Sequence, residues 1–213
     1  MAASRRPAGH QALLDAASAE CADLGYAATS IRDIAARARV SLSALYHYYP
    51  GKQALLAAIL HEGMDAYFGK CEEALAEAGR DPARRLAAVV GATARYRAER
   101  SVASLIIINE ARALPEHERS VYREREKQAT GLFRAAIDDG IAAGIFTTPY
   151  PDDARRMIIA ACNAVAQWYR PDGEVPMDTL VERYVTLAYT LLGYQRRNPL
   201  ARPAAGRSPA RPN

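Results

Sequence analysis

Residues 29–52 read TSIRDIAARARVSLSALYHYYPGK, and this stretch decides the fold. Its apolar residues Ile31, Ile34, Val40 and Leu45 recur at helical spacing, not at the alternation of a strand. Thr29 offers an N-cap for a helix over 31–38 and Ser41 one for a helix ending near Tyr49, where Pro50-Gly51 breaks the backbone. The four apolar side chains pin the two short helices together across a tight turn, with Ala35 small enough for close approach. That arrangement is a helix-turn-helix. A preceding helix over 9–24 carries Leu13, Leu14, Ala17, Cys21 and Leu24 on one face and stops at Gly25.

In a unit of this kind the second helix enters the DNA major groove by its N-terminal end, so its leading exposed side chains meet base edges. Here those are Ser41, Leu42, Ser43, Tyr46, His47 and Tyr48, with Tyr49 read as a packing aromatic. Thr29 at one helix start and Lys52 at another are expected to clamp phosphates, the first through backbone N–H groups, the second by charge. Arg39 adds a positive charge at the turn.

Beyond Lys52 the periodicity predicts longer helices over 52–78, 82–98, 102–113, 116–143, 152–169 and 177–192. They are punctuated by Gly79 with Asp81-Pro82, Leu114-Pro115, Gly144, Pro149 with Pro151, and Pro171-Asp172-Gly173. The expected chain is all-α: a three-helix helix-turn-helix domain over 9–52, a six-helix second domain over 53–193, to which the family resemblance given below assigns ligand binding and dimerisation, and a disordered basic tail over 194–213.

Half of the residues are hydrophobic and 24% are charged, the balance of a globular protein. The formal net charge of +4 is unevenly spread: +2 over residues 1–52, −3 over 53–194 and +5 over 195–213. Basic ends suggest a polyanionic partner such as nucleic acid. No apolar run is long enough for a membrane crossing and no apolar signal core follows Arg5-Arg6, so a cytoplasmic protein without membrane association is expected. Cys21, Cys71 and Cys162 fit neither a disulfide framework nor a CxxC metal site and read as small core residues.

No catalytic template can be completed. His61-Glu62 begins like a zinc-protease motif, but Asp65 stands where the second imidazole is needed. Gly140 and Gly144 read as close-packing and helix-stop residues, and the charged run 116–127 as a solvated face. Neither enzyme activity, nor a metal, nor a cofactor is expected. The rival is a structural or adaptor protein using the same helix-turn-helix without ligand control, and a pocket in the second domain separates the two.

The stretch 29–52 resembles the N-terminal DNA-binding domain of the TetR family of transcriptional regulators, with Thr29, Ile34, Ala35, Ala38, Val40, Ser41, Leu45, Tyr46, Tyr48 and Lys52 in register. The resemblance implies a homodimeric repressor that binds a palindromic double-stranded DNA operator and releases it when a small hydrophobic effector enters the second domain. Arg39 stands where the family usually has Gly. A left-handed backbone at that turn costs a non-glycine residue roughly 1 kcal/mol. Leu42, Ser43 and Ala44 also depart from the common pattern, so the base sequence read does not transfer.

The segments 107–114, 123–128 and 168–173 resemble the subgroup that represses steroid and fatty-acid catabolism and senses acyl-CoA thioesters. On that reading Tyr96, Asn109, Gln128, Asn163 and Gln167 are polar contacts for the effector. Leu105, Ile108, Leu132, Phe133, Ile137, Met157 and Ala161 supply apolar lining, while Arg155, Arg156 and Arg170 face phosphates. The alternative effector is an uncharged lipophilic or aromatic compound controlling an efflux or detoxification operon. Helices 152–169 and 177–192 are each apolar over a wide arc, with Met157, Ala161, Val165 and Trp168 on one stripe of the first. One side of each can pack within the subunit and the other across a two-fold axis.

Overall fold

A computed structural model describes residues 8–195, and all regular structure among them is helical. The helices are α1 (Ala8–Leu24), α2 (Ile31–Arg37), α3 (Leu42–Tyr48), α4 (Lys52–Ala78), α5 (Pro82–Glu99), α6 (Ser101–Glu110), α7 (Glu116–Ala142), α8 (Pro151–Trp168) and α9 (Met177–Leu191). A 3₁₀ turn, Ala111–Ala113, extends α6 toward the bound read from sequence.

Local chemistry accounts for the boundaries. The Ser41 side chain caps α3 by accepting from the Ala44 N–H at 3.1 Å, and Asp81 caps α5 in the same way with Pro82 in its first turn. The cap of α2 is Ser30 rather than Thr29: its Oγ accepts from the Asp33 N–H at 3.2 Å. Between α2 and α3, Arg39 takes φ +56°, while its N–H bonds the Ala36 carbonyl and that of Val40 bonds the Ala35 carbonyl. This is a left-handed helix stop of the Schellman type made with arginine in the place that glycine usually fills. Gly144 stops α7 at φ +68°, and Gly140 admits the Phe146 ring so closely that a Cβ there would lie 2.1 Å from it.

The packing runs continuously from the head into the bundle. Leu13, Ile34, Leu45 and Tyr49 share one core with Leu55, Leu60 and Met64 of α4, Ile106 of α6 and Tyr122 of α7. Leu24, assigned to that face by periodicity, is instead 55% exposed at the frayed end of α1. A second core joins α5, α7, α8 and α9 through Leu86, Phe133, Ile137, Ile158, Cys162 and Leu192. Helix α5 is central, packed on α4, α7, α8 and α9. The three cysteines are buried and free, as small core residues.

Two sequence assignments change at the C-terminal end. Tyr194 stacks on Tyr189 at 4.5 Å between centroids, and the Gln195 N–H bonds the Ile145 carbonyl at 2.8 Å, so both residues belong to the folded unit rather than to a tail. The disorder expected after them lies outside the described residues. On α8, Val165 is fully buried, and the outward stripe runs through Met157, Ala160, Ala161, Ala164 and Trp168. Beside it α9 exposes Leu187 and Leu191. Among the described residues no helix is long and apolar enough to cross a membrane.

Candidate DNA-reading face and effector cavity

Leu45 is fully buried in the head and Tyr49 nearly so, its hydroxyl 2.8 Å from the His10 ring, and together they orient α3. The opposite side of α3 presents Ser41, Ser43, Tyr46, His47 and Tyr48 to solvent. Ser41 and Ser43 share a hydrogen bond at 3.0 Å, and His47 meets Tyr48 edge to face at 5.5 Å. Arg39 beside this face is exposed and makes no ion pair among the described residues, as does Arg32 of α2, which the sequence reading passed over. Arg37, by contrast, is neutralised by Glu20 and Asp23. The result is a polar and aromatic surface with two exposed arginines at its edge that make no ion pair among the described residues, suited to a groove walled by phosphates.

Three proposed DNA contacts are placed elsewhere. Leu42 is half-buried and packs on the head core. Thr29 is 3% exposed, and both its N–H, expected to meet a phosphate, and its hydroxyl donate to the Gly25 carbonyl, closing the turn before α2. Lys52 spends its ammonium on the carbonyls of Tyr26, Ala27 and Thr29 at 2.6, 3.2 and 2.8 Å and sits 4.4 Å above the Tyr26 ring. It staples the 26–29 loop to the start of α4, and no N–H remains for a phosphate.

A cavity of about 100 Å³ lies between α4, α5, α7 and α8, lined by Met64, Tyr67, Thr93, Arg97, Tyr122, Glu126, Ala129, Thr130, Phe133, Ile159 and Asn163. Of the effector residues expected from sequence, Phe133 and Asn163 are in this lining. Tyr96 stands behind the wall: its hydroxyl donates to the Gly63 carbonyl at 2.7 Å and its ring meets Tyr67 edge-on. Burial pushes the hydroxyls of Tyr67, Tyr96 and Tyr122 above the usual phenol range.

The remaining effector candidates do not reach the cavity. Asn109 lies outward on α6, whose Ser104 and Ile106 point in; Gln128 is one residue off the Ala129 line of α7; Met157 is 57% exposed; Gln167 falls past the cavity at the end of α8. Ile108 and Ala161 are exposed too. Arg155 and Arg156 pair with Asp152 and Asp153, and Arg170 donates to the Tyr169 carbonyl at the end of α8. His61 bonds Glu118 at 2.7 Å, tying α4 to α7.

Sequence reasoning missed Arg97. Its Nε donates to Asn163 Oδ1 at 3.0 Å, and its guanidinium lies 5.8 and 5.7 Å from the centroids of Tyr67 and Tyr96. The spacing of Leu86, Val90, Thr93 and Arg97 along one face of α5 was the available signal.

A helix-turn-helix head continuous with a helical bundle has the organisation of a DNA-binding transcriptional regulator. The model for the tetR family of bacterial regulatory proteins matches residues 13–59, and that for a tetracyclin repressor-like C-terminal domain matches residues 79–192. The chain belongs to the TetR family, and it is a regulator rather than an enzyme. The HTH-type transcriptional repressor KstR2 of Rhodococcus jostii is 31% identical over 82% of this chain and 86% of its own length. The protein of the same name from Mycolicibacterium smegmatis is 26% identical over the same shares. A solved tetR-family regulatory protein from Rhodococcus RHA1 superposes with a TM-score of 0.82 at 25% identity, covering 90% of this chain and all of that one.

Proposed function

We propose that the protein is a ligand-released repressor that binds a palindromic operator as a homodimer and answers to an acyl compound of lipid catabolism, an acyl-CoA thioester first among them. The observation that carries the operator reading is the exposed face of α3, where Ser41, Ser43, Tyr46, His47 and Tyr48 stand clear of the core beside the exposed Arg39. The relatives' designation as repressors supports repression. The outward stripes of α8 and α9 support the dimer, because large apolar side chains such as Met157, Trp168 and Leu187 sit together in water unless a second copy covers them. A palindrome follows from that two-fold symmetry, with half-sites about 10 base pairs, or a multiple of that, apart.

The cavity lining supports the acyl reading over an uncharged lipophile. Beyond its bond to Asn163, the Arg97 guanidinium offers its Nη donors to an acyl oxygen, which an uncharged lipophile does not supply. Footprinting on the protein's own promoter region, followed by addition of acyl-CoA thioesters and the matching free acids, tests the proposal. The expected outcome is a protected region with dyad symmetry that is lost on adding the thioester; binding without sequence preference contradicts it.

A further inference from the structure

Arg97 differs from three other arginines set against the bundle. Arg95, Arg125 and Arg155 each meet an aspartate, whereas among the described residues no carboxylate lies within 4.0 Å of Arg97. Its one hydrogen bond there is from Nε to Asn163 Oδ1. Arginine only donates, so this contact fixes the amide orientation of Asn163 and leaves its Nδ2 amino group as a second donor. Neither that group nor the two Nη atoms of Arg97 has a hydrogen-bond partner among the described residues, although both side chains line the cavity. The acid in the cavity wall, Glu126, accepts from the Tyr122 hydroxyl at 3.1 Å. The cavity thus presents a fixed fork of donors beside an apolar floor of Met64, Phe133 and Ile159. A planar fork of N–H groups matches paired or single acyl oxygens.

We infer that Arg97 and Asn163 hold the acyl oxygen of the effector, with its hydrocarbon against Met64, Phe133 and Ile159. The shared chemistry is an acyl group, whether the carboxylate of a free acid or the carbonyl of its thioester. A volume of about 100 Å³ takes a short chain, small beside the roughly 300–1,000 Å³ of drug-sized sites. This inference rests on the ligand-released reading above and names its recognition element.

The test is calorimetric titration of the full chain with saturated carboxylates from propionate to octanoate, their CoA thioesters and the matching primary alcohols. The acid or the thioester should bind, and whichever binds identifies the source; the alcohols should not. Arg97→Leu should weaken binding at least about tenfold, the loss of a charge-assisted pair. Asn163→Asp places a carboxylate in the fork and should abolish binding with the fold kept, so it carries the test if Arg97→Leu fails to fold. Alcohols binding as well as acids, no binding by any member of the panel, or unchanged affinity in the folded variants overturns the inference. Operator binding measured on the same proteins keeps the outcomes apart: a wild type that ignores DNA defeats the repressor reading, while variants that hold DNA but lose the acyl ligand defeat neither.

Discussion

The Tyr96 hydroxyl donates to the Gly63 carbonyl at 2.7 Å, tying α5 to α4 one residue away from the cavity arginine, Arg97. Helix α4 begins at Lys52, whose ammonium holds the loop in front of α2. The cavity wall and the helix-turn-helix head are therefore joined through α4, held by Tyr96 at Gly63 and by Lys52 at its start.

Tyr96→Phe keeps the ring and removes that contact. Losing one buried hydrogen bond should lower stability by about 1 kcal/mol in urea unfolding. If the contact also transmits effector binding, operator release should need several-fold more effector, read by fluorescence anisotropy of labelled DNA. Unchanged stability and release would show that α4 and α5 are coupled elsewhere.

Leu187 and Val185 lie two residues apart on α9 but face different surroundings. Leu187 is 58% exposed, whereas Val185 packs on the second core. Leu187→Glu should give a folded monomer in light scattering where the wild type gives a dimer, because its charge disturbs only the outward stripe. Val185→Asp should destabilise the subunit itself, since it sets a carboxylate against the second core. A dimeric Leu187→Glu protein would place the interface away from α9.

Gly140→Ala should destabilise, since its Cβ would fall 2.1 Å from the Phe146 ring. Overpacking of this kind costs about 1–3 kcal/mol, and the loss should appear as a lower urea midpoint at unchanged slope. A neutral substitution would mean that Phe146 has room to shift.

Burial raises Tyr67 and Tyr122 above the ordinary phenol range and Tyr189 to about 12. Each is protonated in the folded chain while the unfolded chain has begun to ionise, so the unfolded state binds fewer protons and stability falls with rising pH. This contribution is complete below pH about 10 and is lost as pH rises through the folded values. Urea midpoints should decline from there upward, with phenolate absorbance appearing together with unfolding. Phenolate formation by these residues in the still-folded protein would contradict their burial.

The helices were legible because their punctuation is local: Ser41, Asp81-Pro82, Pro151 and Gly144 act on their own backbone, whatever packs around them. Thr29 and Ser30 show the limit of that logic. Either hydroxyl can cap, and the turn at Gly25 decides by claiming Thr29. The site was read less well, since periodicity gives a helix its faces but not its neighbours. Phe133 and Asn163 meet in the cavity because α7 and α8 both border it, while Gln128 and Gln167, on the same helices, point to solvent. Lys52 and Arg97 were opaque for a related reason: a cation in a helix reads as a solvated residue until a distant loop or an opposing amide is seen to take its donors.

The most direct test of the account is binding of the labelled operator by the wild type and by a Tyr46→Ala/His47→Ala/Tyr48→Ala variant across a range of salt. The wild type should bind selectively and weaken steeply with salt, as phosphate contacts release counterions. The variant, altered only at exposed positions, should keep its fold and lose selectivity over random DNA. Selective binding that persists in the variant, or no selective binding by the wild type at low salt, would contradict the assignment of α3 as the DNA-reading helix.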